Sequence, residues 1–444
     1  MKANDLRADV AVHAERRRRL AAAIGEGIAV IPTAPERTRN RDSHYPYRYD
    51  SYFYYLTGFQ EPEAVLVLSG GAEPRALLYC REKNPEREIW DGFRHGPEAA
   101  RERFGFDEAH PIAKLDEVLA SLIENQPALF YPVGADPQWD ARAMKWLNEA
   151  RAKVRAGVAA PERVQEVRAL LDDMRLVKDA HELSIMRRAA AISAEAHRRA
   201  MCATKPGRRE YEIEAELLHE FRRSGAQSPA YAPIVAGGAN ACVLHYVAND
   251  APLRDGELLL IDAGCELDGY ASDLTRTFPV NGRFSGAQRE VYELVLAAHR
   301  AAMDKVRAGN AWNEPHDAAV RTLAQGMLDL KLLRGGLDEA LEKETYKRFY
   351  MHRTGHWLGL DVHDAGDYKR SGRWRALEPG MTLTVEPGLY IRAAPDVPEP
   401  LRNTGVRIED DVLVGEGACE VLTAGAPKAV DDIEALIRDG RAAI

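Results

Sequence analysis

The stretch GELLLIDAGCELDGYASDLTRTFPV, Gly256 to Val280, places an aspartate directly after the apolar run LLLI and a second one shortly before TRTFPV. It reads as strand, turn, strand with the turn at Glu266 to Gly269, a hairpin that brings Asp262 and Asp273 side by side. A lone carboxylate closing a buried apolar run is expensive unless it is paired or metal-bound. The situation recurs in LTVEPGLYI, where Glu386 ends an apolar run and Pro387-Gly388 turns the chain. It recurs again in VRIEDDVLV, where period-two alternation puts Arg407 and Glu409 on one face. Asp268, Asp410 and Asp411, in the same segments, read as surface or turn residues.

Four carboxylates gathered at one site repel each other by roughly 3 kcal/mol per pair at about 5 Å and an effective dielectric of about 20. Two divalent cations would neutralise them. Oxygen-rich ligation with at most a histidine or two favours Mn²⁺, with Co²⁺, Fe²⁺ and Zn²⁺ as competitors, and the chain has no paired cysteines for structural zinc.

Histidines are the other ligand source. YMHRTGHWLGLDVHD, Tyr350 to Asp364, holds His352, His356 and His363, out of 13 histidines in the chain. The first two have the i, i+4 spacing of a zincin helix, but that motif needs a glutamate after the first histidine. Arg353 stands there, and Gly355 and Gly359 disfavour a helix. The residues alone leave open which of the three holds a metal. His13, His44, His95, His110, His181, His197, His219, His299 and His316 read as satisfied polar residues.

With 444 residues, 45% hydrophobic side chains and a formal net charge of -9, the chain reads as two or three globular domains with no basic footprint for nucleic acid. No apolar run approaches the roughly 20 residues of a membrane helix. Glu15 to Arg19 with LAAAIGEGIAVI imitates a signal peptide, but Glu26 interrupts the apolar part, and the run reads as a solvated helix end. Five scattered cysteines suggest a reducing cytoplasm. Cys242, three residues before His245, raises a Cys-His hydrolase as a rival, although no helix N-terminus is evident to activate the thiol.

The first third mixes short apolar runs such as AVLVLSG and RALLYCR with helical patterns such as LDEVLASLIE, as in a small α/β domain. Residues 160–201 read as helical, with a domain boundary near Asp172 to Lys178, and YEIEAELLHEFRRSG as another amphipathic helix. Taken alone, YPYRYDSYFYYLTGF reads as a strand with aromatic packing.

In combination, IDAG with an aspartate eleven residues after its own, GHWLGLDVHD, LTVEPGLY and GVRIEDDVLV resemble the pita-bread metallopeptidases, and among them the Xaa-Pro aminopeptidase (aminopeptidase P) family. VLHYVAND, DSHYPYRYDSYFYYLTGFQEPEAVLVL and EIWDGFRHGP extend the likeness over nearly the whole chain. The resemblance implies an α/β (α+β) protein. A small N-terminal α/β domain (1–174) would precede a C-terminal catalytic pita-bread domain (175–444) with a curved antiparallel sheet and flanking helices.

The resemblance also implies two Mn²⁺ ions (or Co²⁺, Zn²⁺ or Fe²⁺). Asp262 would chelate one, Asp273 and Glu409 would bridge both, and His356 with Glu386 would bind the other. A shared hydroxide would be the nucleophile. His245 and His363 would contact the substrate and stabilise the tetrahedral species, with His352 in support. Asp42 and Arg407 would move a proton. In a homo-oligomer, dimer or tetramer, Trp90 would reach a neighbour's pocket, and the tyrosine-rich stretch would line the approach to the active site. The implied substrates are peptides with proline second. A prolidase restricted to dipeptides and a non-catalytic pita-bread peptide binder are the alternatives; a methionine aminopeptidase would leave the first third unexplained.

Overall fold

A computed structural model describes residues 3–442. The chain divides after Arg175 into two units. The first is built on a six-stranded mixed sheet. Ile28–Pro32 runs antiparallel to Val65–Ser69 and parallel to Ala128–Tyr131, and Arg75–Cys80, Glu108–Pro111 and Arg163–Glu166 complete the sheet. Val30, Val67, Leu77 and Leu129 pack against Leu119, Trp146 and Leu147 of the helices Leu115–Leu122 and Pro137–Ala152.

Three local expectations fail in this unit. The stretch after Ala160 starts as the strand Arg163–Glu166, because the sheet edge supplies backbone partners that outweigh the helix propensity of Arg163, Gln165 and Glu166, and the helix starts only at Arg168. The tyrosine-rich stretch contains a helix, Ser51–Thr57, started by the Asp50 carboxylate accepting from the Phe53 amide and ended by Gly58 in the left-handed region. The basic run is not solvated throughout: Arg16 and Arg17 are buried. With His13 they share one helical face and serve the carbonyls of Tyr55 and Leu56; Arg17 also donates to Phe104 and Gly105. They thus satisfy carbonyls that two helix C-termini leave unpaired.

In the second unit the runs that carry the acids each become short strands with a break, and the break hands the chain from one partner to another. Leu258–Asp262 pairs with Ile234–Gly237 and with Thr275–Pro279, Asp262 standing opposite Thr275. Between them Cys265–Leu267 and Tyr270–Ala271 form a separate hairpin. Its Asp268-Gly269 turn has φ of 49° and 83°, the paired positive values of a type I′ turn. Gly264 marks one break, since a Cβ there would lie 1.6 Å from the Ser272 carbonyl oxygen. Glu386 lies between Thr382–Val385 and Gly388–Ile391, and Glu409 between Thr404–Arg407 and Asp410–Leu413. The outer segments pair antiparallel with one another, and so do the inner ones.

Helices flank these strands. Ala180–Ala203, started by a reciprocal Asp179 and Glu182 capping box, packs on Glu210–Arg223 and Val430–Ala442, while Gly286–Met303 packs on Glu314–Asp329. The first is tied to the site-bearing strands by Ser193, which accepts from the Cys265 amide, and by His197 against the Ala263 carbonyl.

Asp410 and Asp411 are not surface residues: both are buried, Asp410 completely. Arg276, also fully buried, donates to Asp410 at 2.7 Å and to the carbonyls of Glu409, Ala426 and Pro427. Thr423 and Lys428 donate to the same carboxylate. Burial opposes its charge, but Arg276, His299 and Lys428 outweigh burial and hold the Asp410 carboxyl well below the usual range.

Two expectations follow from this network. Arg276→Met leaves a buried carboxylate without its main partner and should cost about 3–5 kcal/mol, read as a lower urea midpoint with activity lost in parallel. The folded-state pKa of Asp410 lies below its unfolded value of about 3.9, so its contribution is complete above that pH and disappears as pH falls below it. The urea midpoint of the Asp410→Asn variant should therefore change less between pH 5 and pH 3 than that of the parent.

Candidate metal centre

A pocket of about 800 Å³ opens over the strand breaks and is lined by Asp262, Asp273, Glu386 and Glu409, together with Arg407, His245, His352, His356 and His363. The Tyr231 hydroxyl lies 2.6 Å from Asp262 Oδ1 and 2.5 Å from Asp273 Oδ1 and shares its one proton between them, so the hairpin brings its two aspartates to one donor. Ligand atoms of Asp273, His356 and Glu409 lie within 4.8 Å of one another. His356 Nε2 is 3.4 Å from Asp273 and 3.9 Å from Glu386.

The electrostatics of the cluster are those of crowded anions. Burial, reinforced by Asp273, Glu386 and Asp262, pushes the Glu409 carboxyl far up. Burial raises Glu386 to about 7 despite His356 and Arg407, and raises Asp262 despite Arg407. Asp273 alone is held below its ordinary value: burial opposes its charge, and the His356 contact outweighs it. Burial works against His356⁺ too, but Asp273 raises it to about 9. Negative charge here outruns the positive charge that the protein supplies. An oxygen-rich set with one imidazole is the donor chemistry that a divalent cation fits.

The three histidines of the 350–364 stretch are distinguished by their hydrogen bonds. His356 Nδ1 donates to the Trp357 carbonyl at 2.9 Å, which leaves Nε2 unprotonated in the neutral ring and directed at the carboxylates. His352 has both nitrogens engaged: Nδ1 donates to the Arg353 carbonyl and Nε2 accepts from the Tyr390 hydroxyl at 2.8 Å. Burial lowers its pKa to about 3, so the ring is neutral. His363 is exposed and meets His356 edge to face at 4.4 Å between ring centres. His245 is likewise exposed at the pocket lining.

Several supporting residues carried no sequence signal. Arg407 donates to Asp262 at 2.6 Å, to Tyr390 at 3.0 Å and to Thr275 at 3.2 Å, and the Thr275 hydroxyl donates to Glu409 at 2.6 Å. Asp411 accepts from the Asp273 amide with both oxygens at 3.1 Å. Tyr231, Thr275, Tyr390 and Asp411 are ordinary residues in sequence, and only tertiary pairing gives them this role. Thr275, Tyr390 and Asp411 lay within quoted motifs, TRTFPV, LTVEPGLYI and VRIEDDVLV, but without a site role there, and Tyr231 lay in none.

Two other expected site residues belong to the first unit. Asp42 is exposed at the turn between Thr38–Asn40 and Ser43–His44 in the first unit, and Trp90, 83% exposed, is on the helix Pro85–Asp91 of that unit. Burial raises the Cys242 thiol to about 11, which removes the thiolate that a Cys-His hydrolase needs. No helix among the described residues is long and apolar enough to cross a membrane.

Comparison with known proteins agrees with this geometry. Residues 13–131 match the model of the aminopeptidase P N-terminal domain. The Xaa-Pro aminopeptidase of Escherichia coli K12 is 44% identical over 92% of this chain and 93% of its own length. The Pseudomonas aeruginosa aminopeptidase PepP has a solved structure that superposes with a TM-score of 0.96, at 52% identity, over 98% of this chain and 99% of its own. The zinc-substituted aminopeptidase P of E. coli in complex with product superposes at 0.95, with 42% identity, over 97% and 99%. Residues 184–416 match metallopeptidase family M24, a match that covers just over half of the sequence and every carboxylate of the cluster, and the chain belongs to that family.

Proposed function

We propose that this protein is a metal-dependent aminopeptidase that hydrolyses the bond between an N-terminal residue and a following proline. The observation that carries the reading is the convergence of Asp262, Asp273, Glu386, Glu409 and His356 on one pocket, in a chain 44% identical to an Xaa-Pro aminopeptidase. The five side chains would hold two divalent ions, Mn²⁺ foremost, with Asp273 and Glu409 shared between them. Bound there, such ions lower the pKa of a water and polarise the scissile carbonyl.

The remaining side chains bind, orient and move protons. His245 and His363 present imidazoles to the pocket and would hydrogen-bond the substrate carbonyl as its oxygen gains charge. Arg407 favours the ionised form of Asp262 against burial and continues through Tyr390 to the neutral Nε2 of His352, a hydrogen-bonded line along which a proton can be redistributed. Asp42 would assist Arg407 in that transfer. Proline in second place removes an amide N–H, so the recognition of that residue rests on shape and apolar contact, for which Ile234, Leu244 and Val247 line the pocket. A homo-oligomer in which Trp90 reaches a neighbouring pocket, and a cytoplasmic setting, belong to the same reading.

Release of arginine from Arg-Pro-Pro by protein loaded with Mn²⁺, Co²⁺ or Zn²⁺ is the expected result; no release with any of the three overturns the reading. Arg-Pro dipeptide should be cut more slowly than the tripeptide, and the reverse order would point to a prolidase. Asp273→Ala and Glu409→Ala should each lower bound metal, measured by elemental analysis, and abolish turnover together. Full activity in either variant overturns the shared-ligand assignment.

A further inference from the structure

The lining of the acidic pocket includes a corner of opposite charge. Arg353 and Trp374 belong to it. Trp374 lies on the hairpin formed by Lys369–Arg370 and Arg373–Trp374, within KRSGRWR, whose Ser371-Gly372 turn has φ of 49° and 78°. The Arg353 guanidinium sits over the Trp374 ring at 5.2 Å, and the Lys369 ammonium sits over the same ring at 4.0 Å. Arg353 also donates to the side-chain oxygen of Asn313, a neutral acceptor. Among the described residues neither cation has a carboxylate at ion-pair distance.

This combination separates orientation from neutralisation. Solvated surface cations either pair with nearby acids or keep their rotamer freedom. Here an indole face and an amide oxygen hold two cations in place, while their charge stays uncompensated. The acids of the same pocket would repel any anionic part of a peptide, so a substrate carboxylate gains most by settling at this corner. A peptide has such a group on the far side of its second residue: extended chain advances about 3.3–3.6 Å per residue, which puts the third residue on the order of 7 Å beyond the scissile carbonyl. That reach fits within a pocket of about 800 Å³.

We propose that Arg353 and Lys369, seated on Trp374, form a subsite for a carboxylate carried by the substrate beyond its proline, an inference that rests on the Xaa-Pro reading above. The carboxylate is either the C-terminus of a tripeptide or the side chain of an aspartate or glutamate in third place. The division of charge gives the pocket a direction: the amino end of the peptide goes to the acids and their cations, the carboxylate end to Arg353 and Lys369.

The test uses the full-length, metal-loaded protein and two peptide pairs: Arg-Pro-Pro against its C-terminal amide, and the amides of Arg-Pro-Asp-Ala and Arg-Pro-Lys-Ala. The member with a carboxylate should show a KM lower by roughly three- to tenfold, with kcat nearly equal within a pair, and the difference should shrink as salt is raised. Arg353→Gln combined with Lys369→Gln should remove the difference, and Arg353→Lys should keep part of it, which a merely structural role would not do. A difference confined to the first pair assigns the terminal carboxylate, and one confined to the second assigns the side chain. Equal KM values within both pairs, or a difference that survives in the double variant, overturns the subsite while leaving the aminopeptidase reading intact. Cleavage of none of the four peptides overturns that reading and the subsite with it.

Discussion

Four carboxylates in one buried pocket repel one another, and the second unit is organised around keeping them there. Each pair at about 5 Å costs roughly 3 kcal/mol at an effective dielectric of about 20, so the cluster survives only with donors aimed at it. Tyr231 spans two of the acids, Thr275 serves Glu409, and Arg407 serves Asp262. The donors relieve the repulsion without cancelling it, as the raised carboxyls of Glu386 and Glu409 show. A framework that satisfied every acid with its own cations would have no use for a metal.

Strand breaks make the crowding possible. A regular strand shows alternate residues to one face and continues along one partner, whereas each site-bearing run here changes partner at or next to its acid. At Glu409 the amide turns from its own strand to the Thr275 carbonyl, and at Glu386 to the Thr354 carbonyl. Backbones have to approach closely at such places. A Cβ on Gly355 would lie 2.0 Å from the Thr384 carbonyl oxygen, and Thr384 holds the His356 amide on its hydroxyl. Glycine at 355 therefore does more than loosen the loop: it lets the loop carrying His356 lie flat against the strand that leads to Glu386.

The acids themselves were legible because a charge at the end of an apolar run contradicts its surroundings. Asp262 and Glu386 announce themselves in this way, and Arg407 with Glu409 follow from alternation, since both line the pocket. The division after Arg175 falls inside the span from Asp172 to Lys178 where the sequence reading sets a boundary. What escaped were groups whose meaning is purely tertiary. The arginines at 16 and 17 look solvated because four of them run together, yet the helix turns two inward to carbonyls more than 35 residues away. Asp50 and Gly58 override the strand preference of the aromatics between them by supplying both ends of a helix. Tyr231 and Asp411 have no local signature, because their partners come from other strands.

Glu409 and Asp410 show where sequence reading reaches its limit. They are adjacent, chemically alike and both buried, at 2% and 0% exposure, yet their carboxyls are displaced in opposite directions. Burial pushes both upward, so burial does not separate them. The difference is the supply of cations. Asp410 faces the cations Arg276 and Lys428, with the His299 ring 3.1 Å away, and together they outweigh burial and make it a structural anchor for the segment from Ala426 to Lys428. Glu409 faces three other carboxylates, with Arg407 as the smallest of the charges acting on it. The neighbouring acids thus divide by face of the chain: on one face the protein supplies the positive charge itself, and on the other it leaves that charge to a ligand. An acidic pair in a strand divides into a candidate metal ligand and a structural residue only through what the fold sets opposite each one, which is why Asp410 read as a surface residue while Glu409 did not.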